Sequence, residues 1–161
     1  IELAETNETG NLIKLKHFDL NFHGTGNSAT NEIRNVVSEI VDYALLVGKD
    51  IVIEDLDFRR IKSETDEAKS EKGKEYNKMI HAFDYSRYKK SFENCCFRRN
   101  VNLVEVNPAY TSKIAKQKYC KKKKLVIHQG ASFVTTRKRQ GFTDKYIKKN
   151  KKKRGEKRKT K

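Results

Sequence analysis

The chain has 161 residues and a formal net charge of +16, with 36% charged and only 35% hydrophobic residues. This length supports one domain with a modest core. No segment is apolar for long enough to span a membrane, no signal peptide is visible, and three cysteines form neither a CxxC pair nor an even disulfide set. These features argue against membrane and disulfide-rich secreted proteins, and they fit a reducing compartment. Because residue 1 is isoleucine, we expect a processed product or a fragment.

The first part of the chain predicts a β-hairpin followed by a helix. Alternating polar and apolar residues within 1–18 flank a turn, which is typical of a hairpin. Apolar residues then recur at helical spacing over 33–45. Ser28 or Thr30 is the expected N-cap of this helix, and Gly48 is its expected stop signal.

Strands and helices alternate in the second part. The apolar run at 50–54 predicts a strand buried on both faces, and a second strand is expected at 102–106. Helices are expected at 76–99, with Cys95 and Cys96 half buried on it, and at about 128–140. Alternation of this kind indicates parallel pairing, whereas the hairpin is antiparallel. The expected fold class is therefore α/β, with a mixed sheet flanked by helices.

Two segments stand outside this pattern. Residues 61–76 are almost purely charged and polar, which indicates a solvated helix or a mobile insertion, including a lid over a site. Residues 143–161 form a tail of mostly Lys and Arg, which we expect to be disordered. The domain organisation is thus one domain over 1–142 and a basic tail over 143–161.

The end of the 50–54 strand carries three acids, Glu54, Asp55 and Asp57. Parallel α/β sheets build their sites at the carboxyl ends of strands. A buried strand does not need carboxylates there to fold, but a site that holds a metal or moves a proton does. The alternative is a set of surface acids, with Asp55 in a turn and Asp57 in a salt bridge.

The basic excess indicates a polyanionic partner, and nucleic acid is the common one. It includes the unbroken run Lys121, Lys122, Lys123 and Lys124, as well as arginines inside the domain. The alternative is a solvated tail that serves only solubility.

Three motifs resemble those of one family. The run Ile51-Val-Ile-Glu-Asp-Leu56, the stretch Val104 to Ser112 containing Pro-Ala-Tyr-Thr-Ser, and the run His128-Gln-Gly-Ala-Ser-Phe-Val-Thr135 follow in order. They resemble the second catalytic motif, a following strand segment and the third motif of the TnpB (OrfB) family. These are transposon-associated, RuvC-like nucleases related to type V CRISPR effectors. The resemblance covers about residues 1–142, and the hairpin matches the strands that follow the family's first motif.

The resemblance implies an RNase H-like fold and DNA cleavage with Mg²⁺ or Mn²⁺. It implies catalytic and metal-binding roles for Glu54, which matches the second-motif glutamate, and for His128, which stands in place of the third-motif aspartate. His128 as a helix-capping residue is the alternative. The first motif and its central strand have no counterpart in this chain. Only Cys120 falls where the family has paired cysteines, so no zinc site is expected, and Asp144 is an unfavoured substitute carboxylate.

Nucleic-acid contacts are also implied. The resemblance implies phosphate contacts for Tyr110, Thr111 and Ser112, whereas the residues alone favour a polar turn after Pro108. Arg137 and Arg139 are equally reasonable as phosphate contacts or as ordinary surface arginines. The lysine run at 121–124 completes the predicted nucleic-acid surface.

Three functions remain open. The first is part of an RNA-guided, metal-dependent DNA endonuclease of transposition and DNA recombination, located in the bacterial cytoplasm at the nucleoid. DNA and a guide RNA would be its partners, and this chain alone is expected to be inactive because it lacks the first motif. The second is a degenerate relative that binds nucleic acid without cutting it. The third, disfavoured by the ordered motifs, is a basic structural protein of a ribonucleoprotein particle.

Overall fold

A computed structural model describes residues 1–20, 27–56 and 85–147. The charged insertion at 61–76, the first part of the helix expected at 76–99, Asp57 and the tail beyond residue 147 lie outside the described residues. The fold is mixed α/β. Among the described helices, none is long and apolar enough to cross a membrane.

The predicted hairpin is confirmed. Strands β1 (Glu2–Thr6) and β2 (Leu12–His17) pair antiparallel. The turn between them depends on Gly10, which has φ +70°. A Cβ at this position would also lie 2.3 Å from the ring of Phe142, so glycine is needed for both its conformation and its size.

Helix α1 (Asn27–Val47) begins earlier than the sequence predicts. Ser28 and Thr30 lie inside the helix, so their assignment as N-caps is wrong. The end of the helix is as predicted: Gly48 has φ +63°, and its amide donates to the Leu45 carbonyl.

Both predicted strands are confirmed, but the strand expected to be buried on both faces is fully buried on one face only, at Ile51 and Ile53. Strands β3 (Ile51–Glu54) and β4 (Leu103–Val106) pair in parallel, with Ile51 opposite Leu103 and Glu54 opposite Val106. Between them in the chain, helix α2 (Tyr85–Arg98) packs against α1. These helices form the main core with one face of β3, and its buried residues are Ile33, Val36, Val37, Ile40, Val41, Ala44, Ile51, Ile53, Phe92, Cys95 and Cys96.

The vicinal cysteines belong to this core. Cys95 and Cys96 lie on α2, as expected, but both are buried rather than half buried. Burial raises the pKa of the Cys96 thiol to about 11, so this thiol stays protonated at neutral pH. Both cysteines therefore act as small apolar core residues.

The last part of the domain is more helical than predicted. Helix α3 (Thr111–Ile114) continues through a π-helical stretch (Ala115–Cys120) into α4 (Lys121–Lys123), and the sequence pattern does not predict this segment. Helix α5 (Ile127–Arg139) agrees closely with the prediction. It packs against β1, β3 and the α3 segment, on the opposite face of the strands from α1 and α2.

The single mixed sheet expected from the sequence is instead two separate two-stranded sheets in the described residues. One contains β1 and β2, and the other contains β3 and β4. No backbone ladder joins them, and helix α5 contacts both.

Hydrogen bonds to Asp144 connect the segment after α5 to the rest of the domain. The Asp144 carboxylate, only 8% exposed, accepts hydrogen bonds from Arg137 Nε at 2.8 Å, Lys118 Nζ at 3.1 Å and the Tyr119 hydroxyl at 2.8 Å. Burial alone would raise the pKa of this carboxyl, but these hydrogen bonds outweigh it and lower the pKa below its ordinary 3.8. Asp144 is therefore a structural anchor, and it does not lie in the predicted site.

We predict that Asp144→Asn lowers the free energy of unfolding by about 3 kcal/mol at pH 7, because it leaves Arg137 buried without its counter-charge. Urea denaturation measures this change. The pKa of the Asp144 carboxyl is lower in the folded state than in the unfolded state. Its contribution to the stability of the domain is therefore present above about pH 4 and is lost as the pH falls through the folded-state pKa. The difference between variant and wild type should therefore shrink in acid. Asp42→Asn, which alters a carboxylate that is 61% exposed, is the matched control and should change little; equal losses would contradict this assignment.

Candidate functional site

The acid that the sequence singles out, Glu54, ends the parallel strand β3. Its backbone carbonyl accepts a hydrogen bond from the Tyr85 hydroxyl, and the next amide, that of Asp55, donates to the Val106 carbonyl. Its carboxylate Oε1 accepts a 2.8 Å hydrogen bond from the Thr135 hydroxyl. The strand end is thus fixed through both its backbone and its side chain.

Thr135 is a buried residue of α5 that the sequence pattern does not assign to the site. Its hydroxyl oxygen also lies 3.0 Å from the Ala131 carbonyl, one turn earlier. A hydroxyl carries a single hydrogen, so Thr135 shares it between its own helix and Glu54. The sequence signal that could have identified Thr135 is the pair of polar residues at 135 and 136, which directly follows the buried Phe133 and Val134.

Lys138 lies one turn beyond Thr135 and holds the loop after β4. Its ammonium donates to the carbonyls of Asn107 at 2.9 Å and Ala109 at 2.6 Å. Partial burial lowers the pKa of this lysine, and the nearby Glu54 carboxylate opposes that effect. Glu54 therefore has a cation within electrostatic range, which offsets part of the cost of holding a carboxylate at this edge.

His128 is not brought to Glu54. It is an exposed residue in the first turn of α5, seven residues before Thr135. At a rise of about 1.5 Å per residue, the two backbones lie about 10 Å apart along the helix axis. His128 lies on nearly the same helical face as Thr135 but two turns away, so the described side chains bring Thr135, not His128, to Glu54.

The donors near Glu54 do not form a complete metal site. No group of three His, Cys, Asp or Glu side chains in the described segments is placed to hold an ion. Asp55 is exposed, and the Asp144 carboxylate is bonded to Arg137, Lys118 and Tyr119. Glu54 supplies one hard oxygen ligand of the kind that Mg²⁺ and Mn²⁺ use. The remaining ligands of such a site are not among the described residues.

The predicted phosphate contacts at 110–112 occupy the start of α3. Tyr110 has φ +65°, and its ring stacks on Tyr146 at 5.8 Å between centroids. The buried Thr111 hydroxyl donates to the Pro108 carbonyl at 3.0 Å, while Ser112 is exposed. Thr111 is therefore engaged within the fold, whereas Ser112 and Tyr110, which is 50% exposed, remain accessible.

The two predicted arginines on α5 differ from each other. Arg137 bonds to Asp144 and to the Gly10 carbonyl at 2.7 Å, and its guanidinium lies 4.3 Å from the Phe142 ring centroid. Arg139 is exposed. Arg137 thus joins α5 to the hairpin turn, and Arg139 is the one of the pair that a ligand could reach.

The predicted lysine run is exposed on α4 and at its end. Lys121, Lys122 and Lys123 form the helix, and Lys124 closes it with φ +54°. The Lys123 ammonium lies 5.7 Å from the Phe133 ring centroid. This cluster remains an accessible positive surface.

A groove of about 720 Å³ lies between the two sheets, and its lining on β3 extends to Ile53, the residue before Glu54. Both β1 and β3 line it, with Ile40, Tyr88 and Phe92 on one side and Ser132 and Thr136 on the other.

The β1 edge faces this groove. Ile1 exchanges backbone hydrogen bonds with Phe18, so by antiparallel alternation the backbone groups of Glu2, Ala4 and Thr6 point away from β2. Side chains cap two of the outward carbonyls. The Thr136 hydroxyl donates to the Ala4 carbonyl at 3.4 Å, and the Lys49 ammonium donates to the Thr6 carbonyl at 2.8 Å.

The β3 edge faces the same groove from the other side. The amides of Ile51 and Asp55 donate to β4 and its flanks, so Val52 and Glu54 direct their backbone groups away from β4. Lys49, just before β3, reaches Thr6 at the end of β1. The two strands therefore run in opposite directions along the groove, which presents strand edges on both sides.

Comparison with models of protein families, with curated proteins and with solved structures finds no match to this chain.

We predict that Thr135→Val lowers the free energy of unfolding by about 1 kcal/mol, because it removes the hydroxyl that bonds the Glu54 carboxylate and keeps the side-chain shape. Chemical denaturation measures the change. Thr136→Val is the matched control, since its hydroxyl makes only longer bonds, 3.4 Å to Ala4 and 3.2 Å to Ser132. Equal effects of the two substitutions would contradict the proposed link between α5 and Glu54.

Proposed function

We propose that this chain is part of a RuvC-like, RNase H-like nuclease of the transposon-associated TnpB type, in which Glu54 is one ligand of a catalytic Mg²⁺ or Mn²⁺. The observation that carries the proposal is the position of Glu54, a carboxylate held by Thr135 at the carboxyl end of a buried parallel strand. Open α/β sheets bind ligands at such ends. The order of the three sequence motifs supports the same assignment.

The groove between the two sheets adds a second line of support. A RuvC-like domain has a central strand that carries the first-motif aspartate, and the resemblance leaves that strand without a counterpart in this chain. The edges of β1 and β3 run in opposite directions on the two sides of the groove. One added strand would pair antiparallel with β1 and parallel with β3, forming a single mixed sheet. Its carboxyl end would then lie beside Glu54, where a second carboxylate is needed.

Glu54 has a defined part in this proposal. A bound divalent ion would supply Lewis-acid chemistry toward a phosphodiester. Thr135 fixes the rotamer of the carboxylate, and Lys138 places a positive charge near it. His128, which is exposed and two turns away, is not needed as a ligand of the same ion as Glu54. The resemblance therefore supports a metal-binding role more strongly for Glu54 than for His128.

The alternative is a relative that binds nucleic acid without cutting it. The incomplete donor set in the described residues favours this alternative for the chain as it stands, as does the net charge of +16. DNA is the expected polyanion, with RNA as a guide. The two proposals differ in whether Glu54 binds a metal.

We predict that Glu54→Gln weakens Mn²⁺ binding on the order of 10-fold, because an amide oxygen replaces the one carboxylate fixed at this edge. Mn²⁺ titration followed by electron paramagnetic resonance measures the free ion. Asp55→Asn is the matched control, since it removes the adjacent, exposed carboxylate and should have little effect. Binding that is absent, or that falls equally in both variants, would reject the nuclease proposal and leave the binding function.

We predict for the binding function that deletion of 148–161 flattens the salt dependence of DNA affinity. Each phosphate that the shortened chain no longer neutralises should reduce the slope of log K against log salt concentration by about 0.7 to 0.9. Fluorescence anisotropy with a labelled oligonucleotide between low and moderate salt measures the slope. The shortened chain keeps the stacking of Tyr110 on Tyr146. An unchanged slope would rule out this tail as a DNA-binding segment.

A further inference from the structure

A second groove, of about 740 Å³, runs between α1 and α2. On α1 it follows Thr30, Arg34 and Ser38, which are spaced four residues apart and so lie along one face of the helix. On α2 it is lined by cations and small polar residues, among them Lys90, Asn94 and Arg98. This groove belongs to the outer seam of the helix pair. Helix α5, which contacts Glu54, packs on the opposite face of the strands.

The groove carries positive charge, and the part of its lining that the structure describes contains no acidic residue. Arginines or lysines line it at positions 34, 87, 90, 98 and 99. Glu32, Glu39, Asp42 and Glu93 lie on the same two helices but not in the lining. Asp42 does pair with Arg99 at one end, so Arg99 is already partly neutralised.

Three of these cations are available to a ligand. Arg34, Lys90 and Arg98 form no ion pair with any carboxylate in the described parts of the chain. Arg34 and Arg98 are exposed, and Lys90 is exposed as well. Arg98 makes one long contact, 3.4 Å from its Nε to the Asn94 carbonyl of its own helix. A cluster of like charges without counter-charges is electrostatically unfavourable alone and is relieved by a bound polyanion.

An aromatic ring stands beside these cations. Phe97 lines the groove and is 89% exposed, although Phe92, Cys95 and Cys96 of the same helix are buried. Exposure of a whole phenyl ring has no benefit for the fold, because the ring contributes little to the core. An exposed aromatic face next to cations is the arrangement with which proteins hold single-stranded nucleic acid.

We propose that this groove binds a single-stranded nucleic acid segment. Arg34, Lys90 and Arg98 contact its phosphates, and one base stacks on Phe97. The amide and hydroxyl groups of Asn35, Ser91 and Asn94 are placed to bond sugar and phosphate oxygens. This surface is independent of any metal at Glu54, so it holds whether the chain belongs to a nuclease or to a binding protein.

The test measures the affinity of the full chain for a labelled 15-nucleotide oligothymidine by fluorescence anisotropy, with EDTA present so that metal binding plays no part. The groove variant combines Arg34→Gln, Lys90→Gln and Arg98→Gln. The matched control combines Lys14→Gln, Lys113→Gln and Lys116→Gln, which removes the same charge from exposed lysines elsewhere. Circular dichroism checks that both variants remain folded.

We expect the groove variant to reduce the slope of log K against log salt by about 2, at roughly 0.7 for each phosphate that is no longer neutralised, and the control to change it by much less. Equal slope changes in the two variants would overturn the proposal, because charge alone would then explain the binding.

The aromatic contact has its own test. Phe97→Ala should weaken binding of oligothymidine roughly 5- to 150-fold, as expected when one base can no longer stack, and leave the salt slope unchanged. Leu46→Ala is the matched control, since Leu46 is 83% exposed and does not line the groove. The same Phe97 variant should bind a duplex of equal length as well as the wild type does, because a paired base cannot stack on the ring.

Competition by polyglutamate of matched charge separates nucleic acid from acidic protein. The proposal is supported if polyglutamate displaces oligothymidine only weakly and if Phe97→Ala does not change the binding of polyglutamate. Polyglutamate that competes as strongly as oligothymidine, together with no effect of Phe97→Ala on either ligand, would overturn it in favour of an acidic protein partner.

Discussion

The placement of helix α5 across both strand pairs is the constraint on which the rest of the domain depends. No backbone ladder joins the two sheets in the described residues, so their relative position is fixed by side chains. Adjacent threonines of α5 reach both sheets: Thr135 bonds the Glu54 carboxylate on β3, and Thr136 bonds the Ala4 carbonyl on β1. Lys49 adds a direct bridge between the start of β3 and the end of β1. These contacts hold a carboxylate and a groove next to each other, which is the arrangement that gives the chain its proposed function.

The sequence was sufficient for elements whose pattern is local. Alternation predicted the hairpin, the apolar run predicted β3, and Gly48 marked the end of α1, since each depends on neighbouring residues only. The segment 111–123 was missed, because it is rich in lysine and its buried side chains, such as Ile114 and Ala115, are too few to produce a clear periodic stripe. The start of α1 was misplaced because serine and threonine suit an N-cap but also occur within a first turn.

The candidate site was only partly visible in the sequence, and the physical reason is distance along the chain. Glu54 could be identified because it ends a buried strand. Thr135 and Lys138 could not, because contacts between residues about 80 apart leave no local pattern. The sequence paired His128 with Glu54 only through the order of the motifs. Motif order does not determine where a residue lies around a helix or along its axis. Arg137 was predicted as a phosphate contact, with an ordinary surface arginine as the alternative, yet it donates hydrogen bonds to the Asp144 carboxylate and the Gly10 carbonyl within the fold. Sequence patterns thus identify residue types suited to a chemistry, and tertiary contacts decide which of them are free to perform it.

The proposed function depends on a divalent metal ion that binds at Glu54 rather than at His128 or diffusely over the surface. Paramagnetic broadening of amide signals by substoichiometric Mn²⁺, measured on the ¹⁵N-labelled chain by nuclear magnetic resonance, locates the ion directly. A metal at Glu54 should broaden signals selectively at 54–56 and 135–138, the two segments joined by the bond between Thr135 and Glu54. Signals at 121–129 should remain sharp. Broadening centred on His128, or spread evenly over exposed carboxylates, would contradict a metal site at Glu54.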